Sequence, residues 1–197
     1  MSLKENNEIT VKIKCNLSEF YKIVEAKGFK IVDEFFMADA YFIPQTLNLE
    51  KTSAREILSK AVLVRFIKGM MSDRVTKKIT FKIKNFDEVG NILSQEAVNC
   101  EIFEIEDAKK LLTAIGYKEI MVIREDDIVY EKDGFQFAVK DIQNGDKLIE
   151  IETEENSELD TIEKLIKKVN DVQIPIYTDN YFIKKAEIEL EKVLNEK

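Results

Sequence analysis

Period-two alternation of long charged side chains with apolar ones dominates this chain, and it constrains the fold more than any other feature. Segment 8–15, EITVKIKC, places Glu8, Thr10, Lys12 and Lys14 on one face and Ile9, Val11, Ile13 and Cys15 on the other. Segment 75–85 repeats the pattern, with Thr76, Lys78, Thr80, Lys82 and Lys84 opposing Val75, Ile79, Phe81 and Ile83. The same period in 147–153, KLIEIET, puts Glu150 and Glu152 on one face. An ordinary half-buried antiparallel sheet also alternates apolar with polar. Here, however, the polar positions are long Lys, Arg and Glu, with the two signs gathered on separate strands. A sheet closed with that face inward and its apolar face under helices encloses a charged tunnel. Basic residues would neutralise a polyphosphate there, and acidic ones would hold a bridging metal.

Helices punctuate the strands. Ser18 is read as the N-cap of a helix running to Gly28, and 47–60 as a second helix. Segments 29–43, 61–68 and 95–105 read as extended, and Asp107 as the cap of a helix that stops at Gly116. In the C-terminal half, 118–131 and 135–141 flank Lys132-Asp133-Gly134, a hairpin signal, and Asn144-Gly145-Asp146 marks a second turn. Helices are expected over 157–170 and 179–195, with an extended stretch through Pro175 between them. Each half thus offers strands, a helix and more strands. Asp126 and Asp127 are read as capping or bending a loop, and Cys15 and Cys100 as small core residues on apolar faces.

Composition narrows the chemistry. The chain has 197 residues, 45% hydrophobic and 35% charged, with six glycines and two prolines, which suits one domain over 1–197 without a flexible linker. A formal charge of −8 argues against a nucleic-acid or anionic-membrane binder. No apolar run approaches the ~18 residues of a membrane span, and the N-terminus lacks a signal-peptide core, so a cytoplasmic protein is expected. Two cysteines cannot build a disulfide framework. With no histidine, Ser-His-Asp and Cys-His catalysis and His-bound zinc or iron sites are excluded. A catalytic metal must be held by carboxylates, which favours Mg²⁺, Mn²⁺ or Ca²⁺. There is no Walker loop and no GxGxxG, so phosphate would be held by side chains.

In order along the chain, several segments resemble the motifs of the CYTH superfamily, the triphosphate tunnel metalloenzymes. Glu8-Ile9-Thr10-Val11-Lys12 resembles its ExExK opening, Asp39-Ala40-Tyr41-Phe42 its DxYF, and Leu63-Val64-Arg65 its LRIR strand. Thr80-Phe81-Lys82 resembles the next basic strand, and Glu101 falls where the superfamily places an acidic pair. Phe137 through Glu152, FAVKDIQNGDKLIEIE, is similar to the "LDxVxxLGxFxEIE" segment, and Tyr177 to Leu190 to the closing "SYxxLL" helix.

The resemblance implies an α+β protein built on an eight-stranded antiparallel β-barrel tunnel with helices packed outside. It implies a metal-dependent triphosphatase first and a class IV adenylate cyclase second. Members of the second kind tend to carry a histidine-phenylalanine pair ahead of ExExK. Carried over, Glu8, Glu101, Glu150 and Glu152 would ligate Mg²⁺ or Mn²⁺, and Glu8 and Lys12 would be catalytic. Lys12, Lys14, Arg65, Lys82, Lys84, Arg124 and Lys140 would be triphosphate contacts. The partner would be tripolyphosphate, a nucleoside triphosphate or thiamine triphosphate, and members often pair as homodimers. Several charge positions differ from the superfamily pattern. Thr10 stands at the second acidic position, Lys140 at an aspartate position and Phe103 at the partner position of Glu101, and the basic pair falls near Glu125 to Asp127. These departures motivate a third reading, a tunnel that holds a polyphosphate or nucleotide without turning it over.

Overall fold

A computed structural model describes residues 8–86, 92–153 and 158–195, and within these the side chains outside 84–95. Eight strands form one antiparallel sheet: β1 (Glu8–Lys12), β2 (Lys30–Pro44), β3 (Val62–Gly69), β4 (Val75–Phe86), β5 (Ile92–Glu101), β6 (Tyr117–Lys132), β7 (Phe135–Ile142) and β8 (Lys147–Glu152), in the spatial order β1-β8-β7-β6-β2-β3-β4-β5. Five helices accompany it: α1 (Leu17–Ala26), α2 (Ala54–Ser59), α3 (Ile105–Ala114), α4 (Ile162–Val172) and α5 (Lys185–Asn195). None is long and apolar enough to cross a membrane among the described residues.

Turn chemistry fixes the hairpins where the sequence places them. Asp133 (φ 51°) and Gly134 (φ 77°) take the two left-handed positions between β6 and β7, the geometry that matches strand twist. Asn144 (φ 59°) does the same work before β8. Helix starts shift by a few residues from the sequence reading. Asn16, not Ser18, caps α1 by accepting from the Glu19 N–H at 2.9 Å. The segment read as a helix over 47–60 is helical only from Ala54, behind the Ser53 cap. Asp107 lies in the first turn of α3 rather than at its cap.

Register separates the two faces of the sheet. Ile9, Val11, Ile149, Ile151, Val139, Phe137 and Tyr130 share the convex face and pack on Phe20 and Val24 of α1 and Leu165 and Val169 of α4. Further round, Ala40, Phe42 and Val64 pack on Ala108 and Leu112 of α3. Burying these faces supplies most of the drive for the fold, at roughly 25 cal/mol per Å² of apolar surface. The other two helices sit on the concave side. Ile57 of α2 and Leu190 of α5 join Tyr41, Leu63, Met121, Ile123 and Leu148, so apolar side chains fill one stretch of the concave face.

The sheet curls without closing through backbone pairing. Among the described residues its edge strands β1 and β5 are not hydrogen-bonded to each other. Instead the chain between α4 and α5 runs along the free edge of β1. The Thr10 N–H donates to the Tyr181 carbonyl at 3.0 Å, the Thr10 carbonyl accepts from Ile183, and Tyr177 donates to the Lys12 carbonyl at 2.9 Å. That segment takes the edge groups that a closing strand would need. Of the two cysteines, Cys15 is half-buried against the α1–α4 core, whereas Cys100 is exposed on the edge strand β5, contrary to its core reading.

Candidate functional site

Strand parity gathers the chemistry onto the concave face. Glu8 lies opposite Glu152 and Thr10 opposite Glu150 across β1–β8; Glu150 lies opposite Ala138 across β8–β7; Lys140 lies opposite Asp127 across β7–β6. Asp39 of β2 faces Arg65 of β3, and Lys82 lies on the same face of β4. The sheet curls enough for Lys82 to feel the charges of Glu8 and Glu150, although β4 and β1 are far apart in strand order. Between them is a cavity of about 360 Å³, whose lining includes Glu8, Glu150, Glu152, Arg65, Lys82 and Lys140. That volume is at the lower end of those that take a whole small molecule.

Three carboxylates converge on one side. One oxygen each from Glu8, Glu150 and Glu152 lie within 4.8 Å of one another, with Glu8 and Glu150 half-buried and Glu152 exposed. Glu152 is pushed above the ordinary carboxylate range by burial and by the charge of Glu150 beside it. Glu150 is drawn below that range: burial alone would raise it, but the ammonium groups of Lys140, Lys185 and Lys82 outweigh that. Three hard oxygen donors, mutually repelling when ionised, fit a small divalent cation such as Mg²⁺ or Mn²⁺.

Beside them stands an ion network for which strand parity alone gives only part of the signal. Lys140, almost fully buried, places Nζ 2.8 Å from Asp127 Oδ2, 3.4 Å from Glu125 Oε1 and 3.3 Å from Glu150 Oε1. Burial opposes its charge, yet the carboxylates of Glu150, Glu125 and Asp127 hold it well above the usual lysine value. Lys185, at the start of α5, reaches Glu125 at 2.7 Å. Asp127 is no loop residue: it lies inside β6, fully buried, and its Oδ1 has no hydrogen-bond partner. Burial raises its carboxyl to about 6 against the pull of Lys140. Glu125 and Asp127 are two apart on one strand and share a face, with Asp127 directly opposite Lys140, a signal legible in the sequence once the register is known. Nothing local in the sequence announces Lys185.

A second ion pair closes the opposite wall. Arg65 binds Asp39 through two contacts, Nε to Oδ1 at 2.6 Å and Nη2 to Oδ2 at 2.5 Å. Burial disfavours the guanidinium charge, and Asp39 more than restores it. Lys82 is held below its usual value by burial and by Arg65. From α2 and α5, Arg55 and Glu187 also line the cavity, joined at 3.2 Å.

Other residues singled out in the sequence lie away from the cavity. Lys12 pairs with Asp146 at 2.6 Å, and the Lys14 ammonium sits 5.6 Å from the centre of the Tyr177 ring. Arg124 is exposed on the opposite face of β6 from Glu125 and Asp127. Glu101 is exposed opposite Lys78, and Phe103 is 94% exposed beyond the end of β5. Asp141, one place from Lys140, pairs with Lys147 outside the cavity. The Lys84 side chain lies outside the described residues.

Comparison with known proteins agrees with this architecture. No protein-family model matches the chain. It is 24% identical over 191 residues, covering 92% of this chain and 98% of the other, to a Methanocaldococcus jannaschii protein provisionally named an adenylate cyclase. The solved PH1819 protein of Pyrococcus horikoshii superposes with a TM-score of 0.66 at 21% identity, covering 94% of this chain and 99% of that one. HpAC1 of Hippeastrum, named an adenylyl cyclase candidate with a dominant triphosphatase activity, superposes with a TM-score of 0.59 at 12% identity, over 95% of each chain. The chain therefore shares the fold of these proteins, which agrees with the fold that the likeness of its motifs implies.

Proposed function

We propose that this protein is a metal-dependent enzyme acting on a triphosphate, with hydrolysis of a phosphoanhydride bond as its reaction. One observation carries the reading: the carboxylates of Glu8, Glu150 and Glu152 converge on one side of a 360 Å³ cavity whose wall also carries Lys82 and Arg65. Acidic and basic groups facing one enclosed space suit a polyanion and the cation that bridges it. In this reading Glu8, Glu150 and Glu152 hold Mg²⁺ or Mn²⁺, and the metal supplies Lewis-acid polarisation of a phosphoryl oxygen. Lys82 neutralises phosphate charge directly, and Arg65, aligned by Asp39, presents its remaining N–H groups to the same space. Lys140 holds Glu150 in place and keeps it ionised. Lys12 would have to leave Asp146 before it could act on a ligand. The enzyme would work in the cytoplasm on a small soluble substrate.

Two further readings have support of their own. Cyclisation of ATP is favoured by the name of the Methanocaldococcus jannaschii relative. Binding without turnover is favoured by the Lys140–Glu150 contact, which gives one carboxylate of the cluster a permanent counter-ion. Product analysis separates all three. The protein is incubated with tripolyphosphate, ATP and thiamine triphosphate, each with Mg²⁺ and Mn²⁺ at neutral and alkaline pH. Orthophosphate release is the expected result. Pyrophosphate with cyclic AMP from ATP would establish the cyclase, and absence of product under every condition would leave the binding protein.

A further inference from the structure

The cavity is not charged throughout. Phe35 and Met37 of β2 and Ile67 of β3 line it alongside the carboxylates, Lys82 and Arg65. The three form one continuous patch: Met37 and Ile67 are direct cross-strand partners, and Phe35 is two places from Met37 on the same face. Opposite Phe35 on β3 is Gly69, which offers the ring no side chain. The other apolar lining groups, from α2, Tyr41, Leu63 and the start of α5, pack into the concave core described above. Phe35, Met37 and Ile67 belong to none of the three apolar cores among the described residues. Met37 is buried, and Phe35 and Ile67 are half-buried.

Apolar surface that packs on no core is stabilised when a ligand covers it, by roughly 25 cal/mol per Å². The register says which part of a ligand can do so. Arg65 is two places from Ile67 on the same face of β3, so the apolar patch adjoins the cationic wall. Across β2–β6, Phe35 is opposite Asp127, a carboxylate that a phosphate avoids. Phosphates held by Arg65 and Lys82 therefore lie beside the patch and not on it. Inorganic tripolyphosphate is charged along its whole length and has nothing to lay against these side chains. We propose that the ligand is the triphosphate ester of an organic group with a flat ring, which packs against Phe35, Met37 and Ile67 while its phosphates meet Arg65 and Lys82. This rests on the reading of the cavity as a triphosphate site and narrows that reading to a substrate class. A ring suits the patch, because Phe35 gives it an aromatic neighbour and Met37 a polarisable thioether.

Titration calorimetry of the full chain at saturating Mg²⁺ tests it. The two probes are non-hydrolysable: the β,γ-imido analogue of ATP and an imido analogue of tripolyphosphate. The expected result is binding of the adenosine ester at least about tenfold tighter than that of the inorganic analogue. Phe35→Ala should cut this preference, the ratio of the two affinities, by about five- to tenfold. Ile67→Thr keeps the branched shape but brings a hydroxyl to the patch, and it should cut the ratio by about threefold. It serves alone should Phe35→Ala fail to fold, as judged by its thermal melt. An inorganic analogue bound as tightly as the ester would overturn the proposal and leave the triphosphate reading standing. So would a preference that neither folded variant alters, since the ring would then sit elsewhere. No binding of either probe would instead overturn the functional reading, and this inference with it.

Discussion

Lys140 and Asp127 are direct cross-strand partners on β7 and β6, and they meet as an ion pair of 2.8 Å with almost no exposed surface on either side chain. Such a pair adds little net stability over a well-packed apolar pair, because both ions lose their hydration. Breaking it from one side is another matter. Lys140→Met would leave Asp127, Glu125 and Glu150 close together, with Lys185 and, beside Glu150, Lys82 as their neighbouring cations. The expected cost is about 3–5 kcal/mol, read as a drop in the urea midpoint. Adding Asp127→Asn to that variant should recover part of the loss. A single variant as stable as wild type would show that these carboxylates do not depend on Lys140 for compensation.

Acid stability should show the mark of Asp127. Its carboxyl titrates at about 6 in the folded protein, against an ordinary value of 3.8. The folded state therefore keeps a proton that the unfolded state gives up, so this group's contribution is greatest below pH 4 and is lost as pH rises through 6. Glu150, drawn below its ordinary value, contributes in the opposite sense and loses its contribution as pH falls. Comparing wild type with Asp127→Asn isolates the first term. Their difference in unfolding free energy should move against wild type by on the order of 2 kcal/mol between pH 4 and 7. A difference that stays flat over that range would place the Asp127 titration elsewhere.

The strands were the most legible part of the chain, because side-chain parity is a local property. Glu8, Glu150 and Glu152 could be placed on one face from alternation and the superfamily likeness, and the register brings them together. Which cations would be free to meet a ligand was not legible. That depends on pairs such as Arg65 with Asp39 and Lys185 with Glu125, separated by 26 and 60 positions. Nothing local to Arg65 names its partner, and only the register of β2 against β3 sets it beside Asp39. The chain along the free edge of β1 escaped the sequence as well, since its pairing is made by backbone groups that no side-chain pattern reports.

Asp39 should hold Arg65 at the expense of phosphate affinity. Asp39→Asn keeps the shape of the wall but removes the charge that aligns the guanidinium. Stability should fall by about 1.5–3 kcal/mol, the usual worth of a hydrogen bond to a charged partner. Binding of a non-hydrolysable imido analogue of tripolyphosphate in chelator should tighten, because a committed cation becomes available. The two effects are read by thermal denaturation and by titration calorimetry on the same preparation. A stability loss with unchanged binding would remove Arg65 from the ligand's surroundings.

Lys82 is expected to trade stability for binding. Its ammonium is held below the usual lysine value by burial and by Arg65, so its charge is disfavoured there. Replacing it with methionine removes an unpaired charge and retains most of the packing volume. Lys82→Met should therefore be as stable as wild type or more so, by up to about 1 kcal/mol in denaturant unfolding. The same change should weaken metal-supported binding of the imido analogue at least about tenfold, equivalent to about 1.4 kcal/mol. A residue that served only the fold would not separate the two readouts in this way. Loss of stability together with unaltered affinity would assign Lys82 to the scaffold, and the cavity would then have to bind its ligand through the metal alone.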